Sequence, residues 1–106
     1  MILVWNPKVG FEGNVKIEIP SMRERLMLAK DLSYDTKEEV RALDNIDRML
    51  KILDVCEKYI KEVNLKHTES LIEFKSWEDM QKDSLCDKLI EEISAFIISG
   101  GKLGEV

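Results

Sequence analysis

The sequence predicts an α+β fold, mainly α-helical: an N-terminal β-hairpin, a short helix, a long central helix, a short extended segment and a C-terminal helix. Three observations carry that expectation. Apolar residues recur in alternating steps of four and three from Thr36 to Val63, and again from Cys86 to Phe96, the spacing of a helical stripe. Val15-Lys16-Ile17-Glu18-Ile19 alternates apolar and charged residues, the period of a half-buried strand. Ser or Thr stands three residues before an acid at Ser21/Glu24, Thr36/Glu39 and Ser76/Asp79, a signal that opens helices by satisfying their free amides.

Taken in order, Ile2-Leu3-Val4-Trp5 and Val15 to Ile19 flank a turn-rich stretch holding Asn6-Pro7, Gly10 and Gly13, as two strands of a hairpin do. Phe11 stands at the tip of that long loop. Pro20 ends the second strand, and a short helix runs from Met22 to about Leu32, with Met22, Leu26 and Ala29 on one stripe and Leu28 and Leu32 on another. In the central helix, Thr36 to Val63, the expected core seam is Ala42, Ile46, Met49, Leu53, Cys56, Ile60 and Val63. Leu43 and Leu50 widen it on one side and Ile52, Val55 and Tyr59 on the other, so the helix needs partners on at least two sides. Asp44, Asp47, Lys51, Asp54, Lys58 and Lys61 fall on the remaining, solvated strip.

Asn64 to Lys75 alternates in two short runs, a second hairpin or an extended loop. A last helix then runs to about Ser99, with Cys86, Leu89, Ile93 and Phe96 as its seam. Trp77 and Met80 lie off that seam, so the turns from Trp77 to Asp83 are expected to bend away or to face another partner. Gly100-Gly101 stops the helix. Residues 1–106 are expected to form one domain with a flexible tail at about 102–106.

Composition narrows the function classes. The chain has 106 residues, 44% hydrophobic and 35% charged, which excludes disorder throughout. Its longest uncharged apolar run, Ile93 to Gly101, is short for a membrane span, and no leader sequence is visible, so a cytosolic protein is expected. Net charge is −5, and it is uneven: Met1 to Tyr34 holds five basic and four acidic residues, the remainder eleven and seventeen. Without a basic cluster, nucleic acid is not an expected partner. Two cysteines so far apart do not make a disulfide framework.

Catalytic groups do not converge. His67 is the sole histidine, with no nucleophile-and-base set, glycine-rich phosphate loop or paired-cysteine motif around it. Zinc held by His67, Cys56, Cys86 and a carboxylate lacks the short ligand spacing such sites use. The expectation is a protein that is not an enzyme and holds no cofactor or metal. Trp5, Phe74, Trp77 and Met80 instead fall in or beside loops, where large apolar groups serve either as anchors of a partner-binding surface or as seals on the ends of a small core. As anchors, these four are the candidate contact residues.

The order of features resembles the tail assembly chaperones of long-tailed bacteriophages. The resemblance rests on the opening strands, Ile19-Pro20-Ser21-Met22-Arg23-Glu24-Arg25-Leu26 leading into a helix, the long central helix, Val63-Asn64-Leu65, Ile72 to Asp79, and Ile98-Ser99-Gly100-Gly101-Lys102-Leu103-Gly104. It implies a non-enzymatic assembly factor in the host cytoplasm that binds the tape measure protein and recruits tail tube subunits. It also implies a gene in which the codons for Gly100-Gly101-Lys102 could form a slippery frameshift run. Wide apolar arcs also allow a homo-oligomer. The alternative is a small oligomeric regulatory or structural scaffold subunit with no client.

Overall fold

A computed structural model describes residues 1–32 and 42–101 of the chain. Strand β1 (Ile2–Trp5) pairs antiparallel with β2 (Phe11–Glu18), placing Leu3 opposite Ile17 and Trp5 opposite Val15. The expected N-terminal hairpin is present, but β2 begins four residues before Val15: Phe11, expected at the tip of the loop, is its first residue and pairs with His67. Helix α1 (Met22–Leu32) follows, and α2 (Ala42–Tyr59) leads directly into β3 (Ile60–His67). β4 (Glu73–Phe74), α3 (Trp77–Lys82), a 3₁₀ turn (Ser84–Cys86) and α4 (Asp87–Ile98) complete the order.

The four strands form one antiparallel sheet in the order β1-β2-β3-β4. This overturns the expectation of a mainly helical protein. The error has a definite source: Cys56, Ile60 and Val63 continue a helical spacing, yet the helix stops at Tyr59 and residues 60–67 pair with β2. Lys16 pairs with Glu62 and Ile17 with Ile60, so Lys61 is an extra residue, a bulge. That bulge shifts the pleat, and it lets Ile60, Val63 and Leu65 all be buried. A bulged strand can thus reproduce a spacing that looks helical. The ambiguous stretch from Asn64 to Lys75 supplies the end of β3, a turn and β4, whose Phe74 pairs with Leu65.

Close strand approach fixes one backbone position. Gly13 has φ +107°, and a Cβ there would overlap the Asn64 carbonyl on β3. One sheet face carries Trp5, Val15, Ile17, Val63, Leu65 and Phe74, all buried, and it joins the helices in one continuous apolar core. The other face is polar across β2 and β3, with Lys16 to Glu62 at 2.9 Å and Lys61 to Glu18 at 3.4 Å. Both pairs are well exposed, so they contribute little to stability.

Helix ends follow their local signals. The Ser21 hydroxyl accepts from the Glu24 amide at 3.3 Å and the Ser76 hydroxyl from the Asp79 amide at 3.2 Å. Asp79 in return accepts from the Lys75 amide at 2.9 Å. The Thr36/Glu39 signal and the tail at 102–106 lie outside the described residues. At the end of α4 the amides of Gly101 and Gly100 reach back to the carbonyls of Phe96 (2.9 Å) and Ile97 (3.1 Å), the paired bonds of a Schellman ending. Gly100, the residue just past the helix, has the positive φ that this ending requires, and Gly101 has positive φ as well.

The final helix is broken where Trp77 and Met80 leave the seam. Asp83 is extended (φ −117°, ψ 123°), and its carboxylate accepts from the Leu85 amide at 3.0 Å, starting the 3₁₀ turn that re-aims the chain into α4. α4 is the most enclosed helix, with Leu89, Ile90, Ile93, Phe96 and Ile97 buried.

α2 corrects the sequence reading in a second way. Its buried residues are Ile52, Val55, Cys56 and Tyr59, while Ile46, Met49 and Leu50 are exposed and Leu53 is half-buried. The covered face is rotated by about 90° from the expected seam, at 100° per residue. Both arcs are apolar enough to be a core. Packing against α4 selects the one that holds Ile52.

Candidate binding surface

The four sequence-predicted contact residues have core positions. Trp5 lies on the inner face of β1 opposite Val15, and Phe74 on β4 opposite Leu65, 6.1 Å from the Phe11 ring. Met80 is fully buried on α3, and Trp77 is half-buried against the core, with its indole Nε1 enclosed and lacking a hydrogen-bond partner. Trp5, Phe74 and Met80 are at most 9% exposed, so as the chain stands they seal its core and leave little surface to a partner.

Exposed apolar surface lies elsewhere, chiefly on α1. Its inner face is Arg25, Leu28, Ala29 and Leu32, and several bonds hold that face down. The Tyr59 hydroxyl donates to the Glu24 carboxylate at 2.6 Å, Arg25 Nε donates to the Pro20 carbonyl, and Arg48 Nε to the Leu32 carbonyl, each at 3.3 Å. Burial pushes the Tyr59 hydroxyl up to about 12, aided by the bond to Glu24 and the charges of Glu24 and Glu18. The opposite face then points outward. It presents Met22 (68% exposed), Leu26 (64%) and Met27 (62%), which with Arg23 and Lys30 line a shallow depression.

These five residues fall within one arc at helical spacing. A helix normally turns its polar side to water; α1 turns out an apolar stripe with two cations among it. α2 does likewise over its first turns, through Ile46, Met49 and Leu50. The two helices pack near Leu32, Arg48 and Ile52, which line a groove together with Ser94 and Ile98 of α4. A stripe of Met and Leu suits binding of apolar helices by packing.

The sequence holds a signal for this surface that the stripe analysis alone does not separate from packing. Met22 and Leu26 fit a buried stripe as well as Leu28 and Leu32 do. Two charges, Arg23 and Lys30, fall on the Met22–Leu26 side against one, Arg25, on the other, and that excess is the local clue that this side faces out.

Other reactive groups do not converge. Cys56 and Cys86 are buried free thiols, both pushed up to about 12, by burial first and, for Cys86, also by Asp83 and Asp87. The Cys56 thiol donates to the Ile90 carbonyl at 3.6 Å. His67 lies edge-on to Phe11, ring centroids 5.0 Å apart, and its Nδ1 meets the Ser70 hydroxyl at 2.7 Å. Among the described residues no three His, Cys, Asp or Glu side chains group as metal ligands, so the set of His67, Cys56 and Cys86 does not assemble. Nor is any helix among them long and apolar enough to cross a membrane.

No family model, curated protein or solved structure matches the chain.

Proposed function

We propose that this protein is a non-enzymatic tail assembly chaperone of a long-tailed bacteriophage, which binds the tape measure protein in the host cytoplasm and recruits tail tube subunits. The observation that supports this reading most is the outward stripe of Met22, Leu26 and Met27 on α1. A chaperone for a long, helical, aggregation-prone client needs apolar side chains held at the surface by a folded body. Unbranched Met adapts to changing apolar partners better than a β-branched residue would. The contact residues of this reading are therefore Met22, Leu26 and Met27, extended by Ile46, Met49 and Leu50 on α2.

The test is co-expression with a tape measure fragment, followed by size-exclusion chromatography with light scattering. A soluble mixed complex is expected, with Leu26→Asp returning the fragment to the pellet while the chain itself stays folded. A fragment equally insoluble with and without the chain would defeat the reading. The alternative, a small oligomeric regulatory or structural scaffold subunit with no client, would bury the same apolar stripes between copies of the chain.

A further inference from the structure

The two edges of the sheet differ. β4 is two residues long and carries Glu73, with the Lys75 ammonium 3.9 Å from its carboxylate, so that edge is short and charged, as edges protected against an added strand are. β1 has no such guard. It runs Ile2-Leu3-Val4-Trp5 without a charge, a proline or a bulge, at the other end of the sheet. Its pairing with β2 shows which backbone groups are open. The Ile19 amide donates to the Met1 carbonyl at 2.9 Å, and Ile2 lies opposite Glu18, so the residues that bond to β2 are Met1, Leu3 and Trp5. The amides and carbonyls of Ile2 and Val4 therefore point away from the sheet, and no described residue bonds to them. Their side chains, both more than half exposed, stand on the sheet's solvent face, while Leu3 packs inward beside Gly101 at the end of α4.

We propose that β1 pairs antiparallel with β1 of a second copy, two-fold about Leu3, and so joins two four-stranded sheets into one continuous sheet. Ile2 then lies opposite Val4 of the second copy, and each such pair exchanges hydrogen bonds in both directions, amide to carbonyl. All the open groups of both strands are used. This symmetry is what selects a second copy: the open groups of Ile2 and Val4 stand evenly on either side of Leu3, so the strand is its own complement under a two-fold axis. Ile2 and Val4 of the two copies form one apolar row on the solvent face, and Leu3 meets Leu3 on the inner face. With no charge on β1, self-pairing opposes no like charges. The contact uses none of the residues assigned above to a client and does not rest on that reading.

Self-association of the full chain tests it. The paired strands are short, so a weak dimer is expected, seen by sedimentation equilibrium between about 10 and about 500 µM. Val4→Pro removes an outward amide and no bond to β2, so it should leave the urea midpoint near the wild-type value and weaken association by about tenfold or more. Two further variants read the register, and both replace only exposed side chains. Ile2→Lys with Val4→Glu sets Lys opposite Glu at both cross-copy pairs; Ile2→Lys with Val4→Lys sets Lys opposite Lys at both. At low salt the first should associate about tenfold or more tightly than the second. A wild-type monomer throughout that range would overturn the proposal. So would unchanged association of a folded Val4→Pro chain, which would move the contact away from β1, or equal association of the two charged variants, which would rule out the pairing about Leu3.

Discussion

The Tyr59 hydroxyl, 2.6 Å from the Glu24 carboxylate, ties the last turn of α2 to the first turn of α1. It reaches α1 on the flank between Leu28 and Met27, so it holds the helix without covering Met22 or Leu26. Tyr59→Phe and Glu24→Gln should each lower stability by about 1 kcal/mol, since the bond is only partly enclosed. A double-mutant cycle in urea should give a coupling of similar size. Strictly additive losses would mean that the two groups are neighbours without a shared bond.

The rotated face of α2 separates two substitutions that the sequence treats alike. Ile52 is buried and Ile46 is exposed, although Ile46 sits on the more regular stripe. Ile52→Ala should cost about 2–4 kcal/mol, the range for removing a core side chain. Ile46→Ala should change stability by no more than about 0.5 kcal/mol when measured on the monomer. The reverse order in urea midpoints would restore the Ile46 stripe as the core.

Legibility in the sequence divides along the range of the interactions involved. The hairpin, the Ser21 and Ser76 caps, the break near Asp83 and the Gly100-Gly101 ending are set by residues within a turn or two of each other, and all could be read. The first half of β3 could not, because what makes residues 60–63 a strand is β2, more than forty positions away, and the bulge at Lys61 disguises its period. The same holds for the surface. Which apolar stripe of α1 or α2 is covered depends on α4, and a position off the helical seams pointed to Trp5 and Phe74, which the sheet buries.

Gly13 tests the sheet independently. With φ +107° and the Asn64 carbonyl where a Cβ would go, Gly13→Ala brings backbone strain and a collision with a neighbouring strand. A loss of about 2 kcal/mol or more is expected from the urea midpoint. Gly10→Ala, with positive φ but open space around it, should cost less. Equal losses at both positions would show that β2 and β3 do not approach as closely at Asn64.

Alkaline titration tests the enclosure of three groups at once. Cys56 and Cys86 rise from 9.0 to about 12 and Tyr59 from 10.0 to about 12, with burial the leading cause in each. Because the folded values lie above the unfolded ones, the folded chain keeps protons that the unfolded chain releases. The stabilisation is whole below about pH 9 and is lost as pH rises from there through 12. Urea midpoints should therefore fall steadily across that window. Cys56→Ala should flatten the fall in proportion to its share, after a drop at neutral pH from the small cavity it leaves. The same enclosure should make both thiols slow to react with a disulfide reagent at pH 8 in the folded chain and fast in urea. Rapid labelling of Cys56 under native conditions would place it at the surface and remove its part in the alkaline loss.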